Sequence, residues 1–406
     1  MSKKLSILVV SDAYWPEQTG GITKSLLTEI EGLVQNGHKV VVVTRTLSTN
    51  SARRESRGEY LIYRYRSPNE DSPLYHAYPL ASIGLLPRLV DKLDEQQNFD
   101  IAYVHNIFQS VGVERASASI PQVYNYHAPI SREINIHLER GKYGWKAPII
   151  RIANNGFEWL ERRVVSTADM LLARSRFMSQ ELSRVHDSDR NPNIVPLAVD
   201  TDRFAFEDDP TKAQTELGLP TDRPIFLTVR RLVARVGLEM LVDAMKIISE
   251  QYSDALLLIG GEGYLRSSLE QRVRDHGIED QVEMLGFIPE EDLPTYYAAA
   301  DFSVMPTKEL EGFGLSTIES LSCGTPVIGT PVGANPEVIG PLNEQLLCAN
   351  ASSDAIAEQM GMWAKRGGSS ELRTECRNYC EENFSSEKVV ESLTQLFRDT
   401  ISDATT

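Results

Sequence analysis

The stretch EGFGLSTIE, residues 311–319, sets two carboxylates, Glu311 and Glu319, around a Gly312-Phe313-Gly314 turn. An apolar run precedes the turn, and LSTIESLSCG reads as a helix starting near Leu315 and Ser316. The first turn of a helix carries free N–H groups and partial positive charge, which suits a phosphate, and the glycines let backbone approach a ligand closely. At 1.5 Å rise per residue the carboxylates stand on the order of 12 Å apart, too far to share one water. They can bracket an extended molecule with hydroxyls at its ends and phosphates in its middle. A glutamate pair at this spacing also arises by coincidence, so the other polar residues decide the reading.

TVRRLVARVG (228–237) leaves a strand-like run with Arg230, Arg231 and Arg235, either three cations for a diphosphate or a solvated basic loop. GGEGYLRSSLE (260–270) puts Gly261 in a glycine turn between strand and helix. The third glycine of a dinucleotide fingerprint is missing and no partner acid stands at the right position, which counts against an oxidoreductase. Gly20 and Gly21 precede the first helix, where tight turning is the plain explanation. His105 and His127 end predicted strands, and a lone histidine in such a place is ordinarily structural. Two Asp-x-Asp pairs, Asp187/Asp189 and Asp200/Asp202, raise the alternative of a metal-dependent transferase; both lie in turn-like or pre-linker segments and read as loop or cap residues. No metal ligand is assigned.

The elements that must position these groups alternate. LSILVVS (5–11) is a buried strand pattern, and the helix over 22–37 sets Ile22, Leu26, Ile30 and Leu33/Val34 on one face before KVVVVT begins the next strand. Further strands are expected at 99–105, 121–127, 168–174 and 193–199. Residues 204–224, rich in acid, Pro and Thr, read as a linker. Strand–helix alternation then resumes to the terminal helices. The pattern predicts an α/β protein of two doubly wound domains, with ligands at the carboxyl ends of the strands.

Composition agrees with a folded, soluble-type chain: 406 residues, 41% hydrophobic and 24% charged. A formal net charge of −16 disfavours generic nucleic-acid binding. The start lacks a signal-peptide core because Asp12 interrupts the apolar run, and no segment has the roughly 18 apolar residues of a membrane span. Cys323, Cys348, Cys376 and Cys380 are too scattered for a disulfide framework, so reduced thiols and a cytoplasmic location are expected. Residues 139–163 mix cations, tryptophans and apolar side chains; packing on the first domain is the expected role, and peripheral contact at the inner membrane face stays open.

Taken in order, Gly20-Gly21, His127, RRLVARVG, GGEGYLRSSLE, VEMLGFIPEEDL, EGFGLSTIE and CGTPVIGTPVGANPEVI resemble the family 4 retaining glycosyltransferases (glycosyl transferases group 1). The similarity spans nearly the whole chain and is most specific in its carboxy-terminal half. It implies a GT-B fold, two Rossmann-like domains facing across a cleft: residues 1–205 on the acceptor side, 206–385 binding the nucleotide sugar, and 386–406 as a helix returning to the first. It implies metal-independent hexosyl transfer, with retention, from a nucleoside diphosphate sugar, UDP-linked by expectation, to a small-molecule, glycan or lipid-linked acceptor. The donor is a co-substrate and no cofactor is implied. Glu311 would hold the sugar hydroxyls, Glu319 the ribose, and the backbone of Phe313, Gly314, Leu315 and Ser316 the sugar and phosphate. Gly286 and Phe287 would line the base pocket, His127 would lie beside the reacting sugar, and Gly20 and Gly21 would close on the phosphates. The chain departs from the pattern at Arg230, at Val236 where a lysine is usual, and at Leu197-Ala198. Arg231, helped by Arg235, would then supply the positive charge. A nucleotide-sugar epimerase or a non-catalytic nucleotide-sugar-binding protein on the same fold are the alternatives.

Overall fold

The computed structural model describes residues 3–12, 14, 20–47, 51–68, 72, 74–127, 129–139, 143–252 and 254–405. Its chain divides into two compact units, one of residues 1–196 with 389–406, the other of 197–388.

The first unit is built on eight strands: β1 (Ser6–Val10), β2 (Lys39–Arg45), β3 (Arg54–Arg57), β4 (Tyr60–Tyr65), β5 (Ile101–Val104), β6 (Gln122–Tyr126), β7 (Met170–Ala173) and β8 (Asn193–Ile194). They lie in the order β3-β4-β2-β1-β5-β6-β7-β8, parallel except for the β3–β4 pair. Strands β1, β2 and β5 are buried Val/Ile runs, as a sheet covered on both faces requires. The strand expected over 193–199 shrinks to the two residues of β8, because Pro196 has no N–H to give a ladder. The β3–β4 hairpin was not anticipated. The arginine-rich β3 alternates half-buried and exposed residues, suiting a charged sheet edge. In the helix Gly21–Gln35, Leu26, Ile30 and Leu33 are buried as expected, but Ile22 is exposed. That helix starts past the carboxyl end of β1, before the sheet lies beneath it.

The second unit carries β9 (Ile225–Val229), β10 (Leu256–Gly260), β11 (Val282–Gly286), β12 (Phe302–Met305) and β13 (Val327–Gly329), all parallel, in the order β11-β10-β9-β12-β13. A single hydrophobic cluster joins strand residues such as Phe226, Leu258 and Ile328 to Leu241, Ile318, Met360 and Cys376 of the helices. Each such fully buried aliphatic side chain is worth about 1.5–3 kcal/mol. The expected linker over 204–224 is instead part of this unit: Phe204 is buried, and Pro210–Leu217 is a helix capped by the Asp209 carboxylate. The helix Ser386–Thr405 packs in the first unit, where the Phe397 ring lies 5.3 Å from that of Tyr103 and Arg398 donates to the Lys3 carbonyl.

All four cysteines are buried, with Cys323 and Cys376 deprived of their acidity by desolvation. No helix among the described residues is long and apolar enough to cross a membrane.

Candidate active site

In the second unit strand order reverses between β9 and β12, the kind of point at which open α/β sheets bind ligands. Arg230 follows β9 directly; Glu311 lies in the loop after β12. The two side chains, 9% and 10% exposed, form an ion pair across that point, and Arg230 Nη1 also lies 3.1 Å from Met305 Sδ. Thr307 Oγ1 donates to the same Glu311 oxygen at 3.4 Å.

Backbone contacts fix both loops. Arg235 donates to the carbonyl of Leu310 at 2.9 Å, and its own carbonyl accepts from Lys308 and Glu309. Leu310 adopts a left-handed φ of 51°, a costly conformation for a bulky residue that these bonds hold in place. Gly333 packs so tightly on the Glu311 backbone that a Cβ there would come within 2.5 Å of its carbonyl oxygen. The helix Leu315–Ser322 starts after Gly314, whose φ is 93°. It is anchored at its far end by Arg377, which donates to the Ser322 carbonyl, and by a Ser320–Ser303 hydroxyl bond of 2.7 Å. Inside it, Glu319 accepts from the buried Tyr297 hydroxyl at 3.0 Å. Burial first, and then that carboxylate, hold the Tyr297 pKa well above the ordinary phenol value, so Tyr297 is a fixed donor.

Gly261 donates to the Gly286 carbonyl at 2.6 Å, and any Cβ on it would lie 2.0 Å from the Arg230 carbonyl oxygen. Phe287, next in line, is exposed. Thus Arg231, Arg235, Gly261, Gly286, Phe287, the 311–316 turn and Glu319 all lie on connections at the carboxyl ends of β9, β10, β11 and β12. Arg231 is exposed, and its guanidinium has no hydrogen bond or ion pair among the described residues.

Gly20, Gly21 and His127 belong to the first unit, whose strand order reverses between β1 and β5. His127 follows β6, and its Nε2 lies 3.3 Å from Nδ1 of His105, which follows β5. Beneath them Arg174, after β7, pairs with Glu29 at 2.8 Å and donates to the Tyr103 hydroxyl at 2.6 Å, while Tyr103 donates to Glu29 at 3.0 Å. With its amide oriented to satisfy its neighbours, Asn125 accepts from Arg174 at 2.7 Å. Burial, reinforced by the Arg174 charge, depresses the His127 pKa to about 3. Burial, and then the neighbouring His127, push the His105 pKa well below the ordinary imidazole value. Both imidazoles are neutral near pH 7.

Sequence reasoning treated His105 as a lone histidine and missed Glu29, Asn125 and Arg174. A polar residue at the end of an apolar strand, as in LLAR, was the available signal. It also missed that Arg230 meets Glu311. The Asp-x-Asp rivals resolve into local roles: Asp187 ends a helix at φ 50°, and Asp200 accepts from the N–H groups of Asp202 and Arg203.

Residues 209–383 match the family described as "Glycosyl transferases group 1", and residues 19–203 match "Glycosyltransferase Family 4". The chain belongs to the group 1/family 4 glycosyltransferases. Among curated relatives, a GDP-mannose-dependent alpha-(1-6)-phosphatidylinositol monomannoside mannosyltransferase of Mycolicibacterium smegmatis is 30% identical over 207 residues, 49% of this chain and 54% of that protein. The chain therefore aligns with about half the length of that relative. Among solved structures, sucrose-phosphate synthase from Thermosynechococcus elongatus superposes with a TM-score of 0.77 at 23% identity, covering 98% of this chain and 100% of that one. An Anabaena protein solved with UDP and glucose gives 0.70 at 16% identity, covering 97% and 99%. Family 4 members share the GT-B fold, and the two sheets are its two Rossmann-like halves.

Proposed function

We propose that the chain transfers a hexose from a nucleoside diphosphate sugar to a hydroxyl acceptor, with retention of anomeric configuration and without a metal ion. The observation that carries this reading is the convergence, where strand order reverses, of a cationic loop, a glycine turn opening a helix, and two buried carboxylates. Glu319, fixed by Tyr297, grips the ribose; Glu311 holds sugar hydroxyls; Arg231 and the first turn of the helix Leu315–Ser322 seat the diphosphate.

Cleavage of the anomeric bond leaves a cation-like sugar and adds negative charge to the departing diphosphate. Stabilising that charge is the main catalytic task, and losing one preorganised donor costs about 2.7–4 kcal/mol. The acceptor attacks from the face the diphosphate leaves and passes its proton to a phosphate oxygen. His127, neutral near pH 7, can act through hydrogen bonds rather than through charge. The base remains between uridine and guanosine: the UDP-bound likeness shares only the fold, and the more similar relative is named for GDP-mannose.

The acceptor reading is lipid-linked, supported by the first unit. Trp145, Ile149, Ile152 and Trp159, at helical spacing along Gly144–Lys146 and Ala147–Thr167, are 81%, 64%, 74% and 65% exposed, with Lys146, Arg151 and Arg162 exposed nearby. The expected packing against the first domain is met through Val164, Val165 and Phe157, whose ring lies 6.0 Å from that of Phe108, while the stripe stays exposed. An apolar stripe flanked by cations suits an anionic lipid surface.

The test is donor consumption with UDP-glucose and GDP-mannose, in excess chelator, with and without phosphatidylinositol, glycan and small-molecule acceptors. Acceptor-dependent release of nucleoside diphosphate and an α-linked product support the reading. Sugar isomerisation without acceptor indicates an epimerase, and binding without turnover a sensor.

A further inference from the structure

Arg230 and Glu311 are 81 residues apart in sequence, and each stands at the carboxyl end of one of the two strands between which the sheet order reverses. Their ion pair therefore spans the point of reversal, where the donor is proposed to lie. The pair is nearly dry, and the Arg230 guanidinium touches Met305, whose sulfur also contacts the helix that would seat phosphate. Its Nη1 is 3.1 Å from Met305 Sδ, and the Ser316 hydroxyl, in the first turn of the helix Leu315–Ser322, is 3.9 Å from the same sulfur. One sulfur thus contacts both the guanidinium and the first turn of the helix.

We propose that Arg230 is an exchange cation. In the ligand-free protein it neutralises Glu311; when a nucleoside diphosphate sugar enters, the guanidinium transfers to the diphosphate oxygens and Glu311 passes to the sugar hydroxyls. This deepens, and rests on, the donor reading above. No covalent bond changes; two charges swap partners. Breaking a buried ion pair is strongly unfavourable when either charge is left alone, because its lost hydration is not replaced. An intact donor supplies a partner to both groups at once. A free nucleoside diphosphate supplies one only to Arg230 and leaves the Glu311 charge to the long Thr307 hydrogen bond, and a free sugar does the reverse. The pair thus makes the site discriminate substrate from the leaving group it must release, by an amount beyond the contacts of the sugar alone.

Three features make Arg230 the mobile partner rather than Glu311. The glutamate backbone is clamped by Gly333, by the Ala334 N–H donating to its carbonyl at 2.9 Å, and by the left-handed Leu310 before it. The arginine backbone is fixed too, through its N–H to the Gly260 carbonyl at 3.0 Å, but its side chain has several rotatable bonds and holds only Glu311 and a weakly accepting thioether.

Calorimetric titration of the full chain with UDP, GDP, UDP-glucose and GDP-mannose tests this. Wild type should bind the intact donor at least about tenfold more tightly than the matching diphosphate. Glu311→Gln, which loosens the hold on Arg230, should tighten the free diphosphate by about tenfold, a gain that a merely structural role for the pair would not produce. Arg230→Gly should weaken the diphosphate by about tenfold, and Arg230→Lys should keep most of its affinity. Circular dichroism and thermal melts check that each variant folds; should Arg230→Gly not fold, the gain in Glu311→Gln decides. Unchanged or weaker diphosphate binding by Glu311→Gln, or undiminished binding by a folded Arg230→Gly, overturns the exchange while leaving the donor reading intact. A wild type that binds none of the four ligands overturns both.

Discussion

His127 carries no charge near pH 7. Burial and the Arg174 charge depress its pKa to about 3, and His186, hydrogen-bonded to the Tyr126 hydroxyl at 3.1 Å, is pushed by burial and Arg162 to about 4. Unfolded histidines protonate near pH 6.5, so below that pH the unfolded chain binds more protons than the folded one, and stability falls as pH drops toward the folded-state values. Imidazole NMR signals assigned to His127 should show no titration between pH 5 and pH 8, while the unfolding free energy declines from pH 6.5 to 4.5. A His127 midpoint near 6.5 would contradict the partly buried environment under the influence of the Arg174 charge. At the same scale, Arg231→Ala should lower turnover by about 10²–10³-fold with folding intact, as expected for loss of a preorganised charge at the leaving group; normal turnover would remove Arg231 from the mechanism.

At the level of elements, the site depends on loops whose backbones touch. Gly261 has φ 118° and lies against the Arg230 carbonyl, so Gly261→Ala must displace one loop or the other. Nucleotide affinity should fall at least about tenfold in a chain that still melts cooperatively, since the strain is confined to a loop contact. Wild-type affinity would show that the two loops need not touch. The helix opening at Leu315 was legible because a glycine turn and an apolar strand flank it, and local signals of that kind survive in any context. The Arg54–Arg57 strand was not, because a charged edge strand has no apolar alternation to read. The helix Pro210–Leu217 hid within an acidic, proline-rich run; Asp209 as cap and Pro210 at the first position were helix-start signals outweighed by composition. The Arg230–Glu311 pair could not be read from one sequence: it follows from strand order, which sets β9 beside β12 with β10 and β11 elsewhere.

For the molecule as a whole, each unit has its own reversal of strand order and its own buried polar cluster, and the chain begins and ends in the same unit. The terminal helix contributes Phe397 to the Tyr103 ring, whose hydroxyl joins Glu29 to Arg174. Phe397→Ala should cost about 3–5 kcal/mol by opening a cavity. Hydrogen exchange should speed first in β1 and β5, with β9 to β12 protected; equal loss in both units would contradict the assignment of this helix to the first. The central claim, that the second unit holds a nucleoside diphosphate hexose with Glu319 at its ribose, is tested most directly by calorimetric titration of wild type and Glu319→Ala with UDP-glucose and GDP-mannose. The account predicts saturable one-site binding of at least one donor by wild type and a loss of at least about tenfold in the folded variant. Equal binding by both proteins, or none by wild type, would contradict it.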